Sequence, residues 1–380
     1  MTAATAAQVP FTVPPLTDGA RTAAERVLRS GWLTTGPECA AFEEALSRLL
    51  DQPYAVTVAS CTQALELSLR ALRLEPDAPV LTPSLTFCGA VGAIVHAGYR
   101  PVLVDVDEDT LTPGPAEIEA ASHRTGPPAA MVLCDLGGYP VDVAELAGAA
   151  GLAYSRVIVD AAHGPGGDVG RATDAATAPY ATCLSFYATK NLPIGEGGAV
   201  LTHDADLADR LRAARLHGMT KDAWRRYLPG GSWRYDVDEV GFKANLTDLQ
   251  AAIGRAQLRE LSRWQERRRA LVTRYDAALA DVVTLPRRHP GHAFHLYQVR
   301  VPRRDEIAAH LAAYGVGTSV HFIPVHHLRG YARMFDADEL TALPVTDRVA
   351  GDLLSLPLYP DLTDSAVDRV TGLLTDLLAA

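Results

Sequence analysis

The chain is poor in cysteine, and what it has is scattered. Cys39, Cys61, Cys88, Cys134 and Cys183 are odd in number and contain no C-x-x-C pair that would hold zinc or cycle between redox states. A reducing, cytoplasmic compartment fits that usage. No run of eighteen apolar residues occurs, and the opening residues lack a basic segment followed by an apolar one. Neither a membrane span nor a secretory leader is therefore expected, and the Ala-rich opening reads as a loose arm. Positive charge is short as well: 35 Lys and Arg against 45 Asp and Glu give a formal net charge of -10. Binding to nucleic acid draws its affinity from clustered cations, so no nucleic-acid partner is expected. The one basic stretch, Arg263 to Arg269, sits in a helical-looking segment beside Trp264 and Glu266 and reads as a solvated helix face. There is no Walker A sequence, internal repeat or long low-complexity tract. Gly164 to Gly170 follows a strand pattern, but its spacing is wrong for a dinucleotide fingerprint and no helix pattern begins there.

What is present is the composition of a folded protein, 48% hydrophobic and 21% charged, over 380 residues. That length exceeds what one core usually supports, so two domains are expected. Between about residues 55 and 202, short β-branched runs alternate with helical patterns; the runs cover 55–58, 80–82, 101–104, 130–133, 156–159, 182–186 and 198–201. This alternation predicts an α/β domain with a seven-stranded, mostly parallel sheet. After Thr62, Leu65, Leu69 and Leu72 recur at four and three residues and form one apolar stripe for packing on that sheet. Past Asn245 the pattern is helical, through Leu246, Leu249 and Ile253 and a charged continuation to Tyr275. The turn-rich stretch 286–292 reads as a linker. Beyond it come a strand-like HLYQVRV, a helix-like DEIAAHLAAYG, a strand-like TSVHF and a terminal helix from about Ser365. The predicted organisation is a large domain over 1–250 and a smaller C-terminal α+β domain over 251–380.

Four segments carry candidate chemistry. In the run from Thr182 to Gly198, a strand delivers Lys190 into a loop with polar residues before it and glycines after it. A lysine is unreactive while protonated; burial lowers its pKa and frees the amine to condense with an aldehyde. An exposed loop lysine is the plain alternative. Arg156 to Asp160 is an apolar strand ending in a carboxylate, and in open α/β sheets ligands gather at the carboxyl ends of strands. A carboxylate there could serve a cofactor's ring nitrogen, or could equally cap a turn. The strand Ala55 to Val58 runs into Ser60, Cys61 and Thr62 at a helix N-terminus, which suits either a bound phosphate or simple N-capping. Phe87, in the loop after the next strand, could stack on a flat cofactor or pack in the core.

Together these pieces resemble the nucleotide-sugar aminotransferases, the DegT/StrS-type family of fold-type I enzymes that use pyridoxal 5'-phosphate (PLP). The resemblance runs through SGWLTTGPECAAFE, ASCTQAL, PSLTF, GYRPVLVDVD, GGYPVD, VIVDAAHGPGG, LSFYATKNLPIGEGG, LHG and GFKANLTDLQAAIGRAQL, and so through nearly the whole chain. It implies an aspartate-aminotransferase-like fold. It also implies that Lys190 is the Schiff-base lysine and proton shuttle, that Asp160 pairs with the pyridinium nitrogen, and that Phe87 stacks on the ring. His163 falls where the family has a His or Gln near the cofactor's 3'-oxygen, and Ser60, Cys61, Thr62 and Ser185 would hold the phosphate. Asn245 corresponds to a residue reaching the phosphate from the neighbouring subunit, which implies a homodimer with shared sites. Cys61 departs from the family, which has Gly or Ala there, so only its backbone contact carries over.

The implied reaction is ping-pong. L-glutamate would leave its amine on the cofactor as pyridoxamine 5'-phosphate, and a nucleoside-diphosphate keto sugar would collect it; a dTDP-4-keto-6-deoxyhexose aminated at C4 is the leading acceptor. Thr35, His321 and His326 are the expected substrate-binding residues. His321, His326 and His327 look metal-like, but no carboxylate accompanies them at a zincin spacing, and no metal is expected. His295 and Tyr297 read as part of the small-domain fold. The alternatives are a 3-keto sugar acceptor, a glutamine-dependent scyllo-inosose aminotransferase, or a non-catalytic PLP-binding sensor; a dehydratase of this family would replace Lys190 by histidine.

Overall fold

The computed structural model describes residues 8–169, 175–219 and 234–379. The first seven residues of the Ala-rich opening, and Gly170 of the 164–170 run, lie outside the described residues. The larger sheet is built from β1 (Tyr54–Val58), β2 (Pro79–Pro83), β3 (Arg100–Val104), β4 (Ala130–Cys134), β5 (Val157–Asp160), β6 (Ala181–Ser185) and β7 (Gly198–Thr202), in the order β1-β7-β6-β5-β4-β2-β3. Only β7 opposes its neighbours; the other strands run one way. This is the mostly parallel seven-stranded sheet that the alternating pattern predicts.

Its strands are short apolar runs because both faces are covered. Successive residues of β5 show it: Val157 and Val159 enter a cluster with Phe42, Leu46 and Phe186 on one face, while Ile158 enters a cluster with Leu65, Leu69 and Ile94 on the other. The predicted stripe of the helix Cys61–Ala71 supplies the second cluster. Parallel β strands deliver their carboxyl ends to one edge, where Ser60, Pro83, Asp160 and Ser185 lie at or just past strand termini.

The remaining core is organised around a two-stranded antiparallel sheet, β8 (Tyr297–Arg300) and β9 (Leu353–Leu356), where Tyr297 of β8 packs with Tyr275, Leu311, Val370 and Leu374 from the surrounding helices. The helix Leu261–Leu279 begins in the large-sheet cluster at Leu261 and ends in this one at Leu279. The terminal helix spans Asp364–Ala379, as its pattern predicts. TSVHF, in contrast, is not a strand. Only Ser319 finds a backbone partner, at Ser355, and β8 pairs instead with Leu353–Leu356. The segment is drawn off the sheet because Val325 N–H binds the Ser84 carbonyl at the edge of the large sheet, which carries His321 and Phe322 to the cavity described below.

The helix Asp248–Leu258 ties the loops near the site together. Thr247 and Gln250 form a capping box at its start. Asp248, only 2% exposed, accepts the amides of Gly36 at 2.7 Å, Cys39 at 3.0 Å and Glu38 at 3.2 Å, and so caps the helix Pro37–Leu49 from more than two hundred residues away in sequence. Asp248→Ala strands those amides at a buried helix end. Its unfolding free energy in urea is expected to fall by about 2–4 kcal/mol; a loss under about 0.5 kcal/mol would show the cap to be idle.

Candidate active site

The helix Cys61–Ala71 starts at the edge of the sheet, and Ser60 is its N-cap: Ser60 Oγ accepts Gln63 N–H at 3.2 Å. The capping alternative therefore holds for the Ser60 side chain. It does not consume the helix end, because the amides of Cys61 and Thr62 have no partner among the described residues. They keep the donors and the positive dipole that bind anions. β7 crosses directly behind: a Cβ on Gly198 would stand 2.6 Å from the Ser60 carbonyl carbon and 2.7 Å from Cys61 N. Glycine is required there for the strand to pass.

Asp160 ends β5 and is 5% exposed. Its Oδ1 accepts Ala162 N–H at 3.1 Å and lies 3.5 Å from Cys61 Sγ. A turn contact and a cavity position thus coexist in one carboxylate, since Oδ2 has no hydrogen-bond partner among the described residues. Burial raises its pKa, opposed by the Ala162 amide, the charge of Lys190 and the Cys61 thiol. Lys190 lines the same cavity, and burial lowers its amine to about 8 despite the opposing pull of Asp160. It is no solvent-swept loop lysine. Its backbone is held by Lys190 N–H to the Tyr187 carbonyl, and the next side chain, Asn191, donates to the carbonyls of Pro165 and Ala293 at 3.0 and 2.9 Å. Gln250 and Gln257 of the helix Asp248–Leu258 pin the rest of the loop through the Glu196 and Pro193 carbonyls.

His163, 3% exposed, accepts the Gly137 amide on Nδ1 at 3.0 Å. Its neutral ring must then carry the proton on Nε2. Burial, with the positive charge of Lys190 nearby, keeps its pKa well below the ordinary histidine value. Phe322 stacks parallel to it, at 5.6 Å and 2°. Phe87 is 55% exposed and meets Phe322 at 5.9 Å, so it is not a core residue.

A single cavity of about 550 Å³ takes in Ser60, Cys61, Thr62, Phe87, Asp160, His163, Ser185, Lys190 and His321. Three predicted residues are not brought to it. Asn245 Nδ2 donates to Thr35 Oγ1 at 2.7 Å, and Thr35 in turn to the Leu246 carbonyl, so these two stand together apart from the cavity. His326 is buried with both ring nitrogens engaged, by Ser84 Oγ at 2.6 Å and Asp347 Oδ1 at 2.8 Å, and does not line it. Cavity residues that the sequence reading missed include Thr86, Cys134, Tyr187, Thr189, Glu196 and Phe322. Its place beside His321 is the signal in sequence for Phe322. His295 is more than a small-domain residue: buried, it packs 4.4 Å from His163 and places Nδ1 3.2 Å from Asn191 Oδ1.

Among the described residues, two groups of side chains come within metal-binding range, His163 with His295 and His321, and His326 with His327 and Asp347. In the first, the Gly137 amide occupies one nitrogen of His163 and leaves a proton on the other. In the second, Ser84 and Asp347 engage both nitrogens of His326, and Asp347 also meets His327 Nε2 at 2.8 Å.

The model of the DegT/DnrJ/EryC1/StrS aminotransferase family matches residues 16–375. The chain belongs to this family. It is 38% identical to the spore coat polysaccharide biosynthesis protein SpsC of Bacillus subtilis (strain 168) over 393 residues, covering 97% of each chain. Among solved structures it resembles Spr1654 of Streptococcus pneumoniae in its PMP form, with TM-score 0.87, 29% identity and coverage of 98% and 99%. It also resembles DesV of S. venezuelae in complex with a ketimine intermediate, with TM-score 0.86, 32% identity and coverage of 99% and 100%. The DegT/DnrJ/EryC1/StrS enzymes are PLP-dependent sugar aminotransferases, and the cavity fits that cofactor: unclaimed helix-end amides for a phosphate, a buried carboxylate with a free oxygen for a ring nitrogen, and a lysine of lowered pKa for an aldehyde.

An amine lowered to about 8 is ~10% neutral at pH 7, against ~0.03% for an ordinary lysine. The rate at which cofactor-free protein captures PLP covalently is accordingly expected to climb with pH and level off above about 8. Stopped-flow absorbance checks this; a rise that continues unbroken to pH 10 would mean the amine is not desolvated.

Proposed function

We propose that this protein transfers the amino group of L-glutamate to a nucleoside-diphosphate keto sugar, a dTDP-4-keto-6-deoxyhexose aminated at C4, in deoxyaminosugar biosynthesis. The observation that carries the proposal is a lysine amine lowered to about 8 in one cavity with a buried carboxylate and an unclaimed helix N-terminus. When bound, PLP supplies an aldehyde for an amine and an electron-withdrawing ring that stabilises negative charge on the adjacent carbon.

The chain's own residues then divide the work. Lys190 holds the cofactor covalently and, once displaced, its neutral amine carries the proton to and from the reacting carbon. Asp160 keeps the ring nitrogen protonated through Oδ2, since Oδ1 is committed to Ala162 and Cys61. His163 offers its Nε2 proton to the 3'-oxygen, a tautomer fixed by the Gly137 amide. The amides of Cys61 and Thr62, the Ser60 turn and the Ser185 hydroxyl hold the phosphate. Phe87 covers one face of the ring, and His321 meets the substrate. Thr35 and Asn245, bonded to each other outside the cavity, serve the site of a second copy, so the working form is a homodimer. His326 acts on substrate only indirectly, by holding the 321–327 segment to Ser84 and Asp347.

Two experiments test this reading. Borohydride should trap PLP on Lys190 of the wild-type protein, and Lys190→Ala should lose both the trapped adduct and at least about 10³-fold in turnover with glutamate and a panel of 3-keto and 4-keto nucleotide sugars. Trapping on another lysine, or no amination of any sugar in the panel, would overturn it. Mixing Lys190→Ala with Asn245→Ala protein should regenerate activity through hybrid dimers carrying one intact site. Mixtures no more active than either parent would remove Asn245 from a shared site.

A further inference from the structure

Asp160 stands in a setting richer in thiols than in strong hydrogen-bond donors. Along the sheet it is paired in register with Cys134 on one side and Cys183 on the other. Cys61, the first residue of the helix Cys61–Ala71, reaches it from above, with Sγ 3.5 Å from Oδ1. The thiols are not equivalent. Cys183 Sγ faces Ser68 Oγ at 3.9 Å, and no hydrogen bond joins Cys134 to the carboxylate. Cys61 alone adds a side-chain donor to Oδ1, beside the Ala162 amide. Burial, with the neighbouring Asp160 charge, pushes the Cys61 thiol well up. It therefore keeps its proton and donates rather than reacting.

We infer that Cys61 is a positioning residue for the ring-nitrogen contact, its S–H fixing Asp160 Oδ1 so that Oδ2 is the oxygen presented to the cofactor. This rests on the cofactor reading above. The consequence has a definite sign. The carboxylate and the ring nitrogen share one proton. A donor on Oδ1 stabilises the ionised carboxylate, which leaves that proton on nitrogen and the ring electron-poor. Removing the donor makes the carboxylate the stronger base and moves the proton toward it. The ring then withdraws less, so proton loss from the lysine-linked nitrogen needs a higher pH.

The test reads the ring itself. Wild type, Cys61→Ala, Cys61→Ser and Cys183→Ala are loaded with PLP labelled with ¹⁵N in the ring. The nitrogen's chemical shift and the pH midpoint of the visible absorbance are then recorded, with thermal melting as a control for folding. In Cys61→Ala the shift should move toward that of unprotonated pyridine, the midpoint should rise, and the half-reaction with glutamate should slow about two- to tenfold in its maximal rate, with little change in glutamate affinity. Cys61→Ser restores a donor and should bring the shift back toward wild type, while Cys183→Ala should leave it unmoved. A Cys61→Ala shift and midpoint equal to wild type would overturn the inference, as would equal displacement by Cys183→Ala. Failure of the cofactor reading would show itself separately, as wild-type protein that yields no borohydride-trapped adduct at Lys190.

Discussion

Desolvation of one amine is the constraint on which the site depends. Lys190 would be fully protonated in water at neutral pH and useless as a nucleophile; enclosed, it sits near 8. The enclosure cannot be purely apolar, because Asp160 lines the same cavity and its charge resists the lysine's loss of a proton. Burial wins for both groups, pushing the lysine down and the aspartate up, so two opposite charges are each made less comfortable by the same walls. A planar, anionic cofactor with a basic ring nitrogen and an aldehyde relieves both at once.

The sheet was legible because its strands are buried on both faces and therefore read as unbroken apolar runs set between helices. The residues at the strand ends were legible for a related reason: an Asp or a Ser at the end of such a run, as at Asp160 and Ser185, has few places to go. TSVHF was misread because β-branched and aromatic residues mark a strand whether or not pairing continues; here it stops at Ser319 and Ser355, and the Val325 bond to Ser84 draws the segment away. His326 shows the limit for histidine. Neither its spacing nor its neighbours reveal that Ser84, 242 residues away, and Asp347, 21 residues away, occupy both of its nitrogens. His295 shows the reverse, a residue assigned to scaffold that the fold sets against His163.

Much of the precision in the site comes from backbone rather than side chains. The His163 tautomer is chosen by a main-chain amide at Gly137, the donors at the start of the helix Cys61–Ala71 are the amides of Cys61 and Thr62, and the closeness of β7 to that end depends on the missing side chain of Gly198. Such contacts leave only faint marks in sequence, mostly as glycines. This is why motif company located the site while its proton inventory needed coordinates.

Asn191 bridges regions that sequence keeps far apart. Its two amide protons bind carbonyls at Pro165, just past the end of β5, and at Ala293, on the approach to β8, while its backbone belongs to the residue after Lys190. The lysine is thereby clamped at the seam between the two sheets. One carboxamide thus holds the segment that carries the amine against two stretches of chain more than a hundred residues apart, so the position of the lysine is set jointly by both sheets.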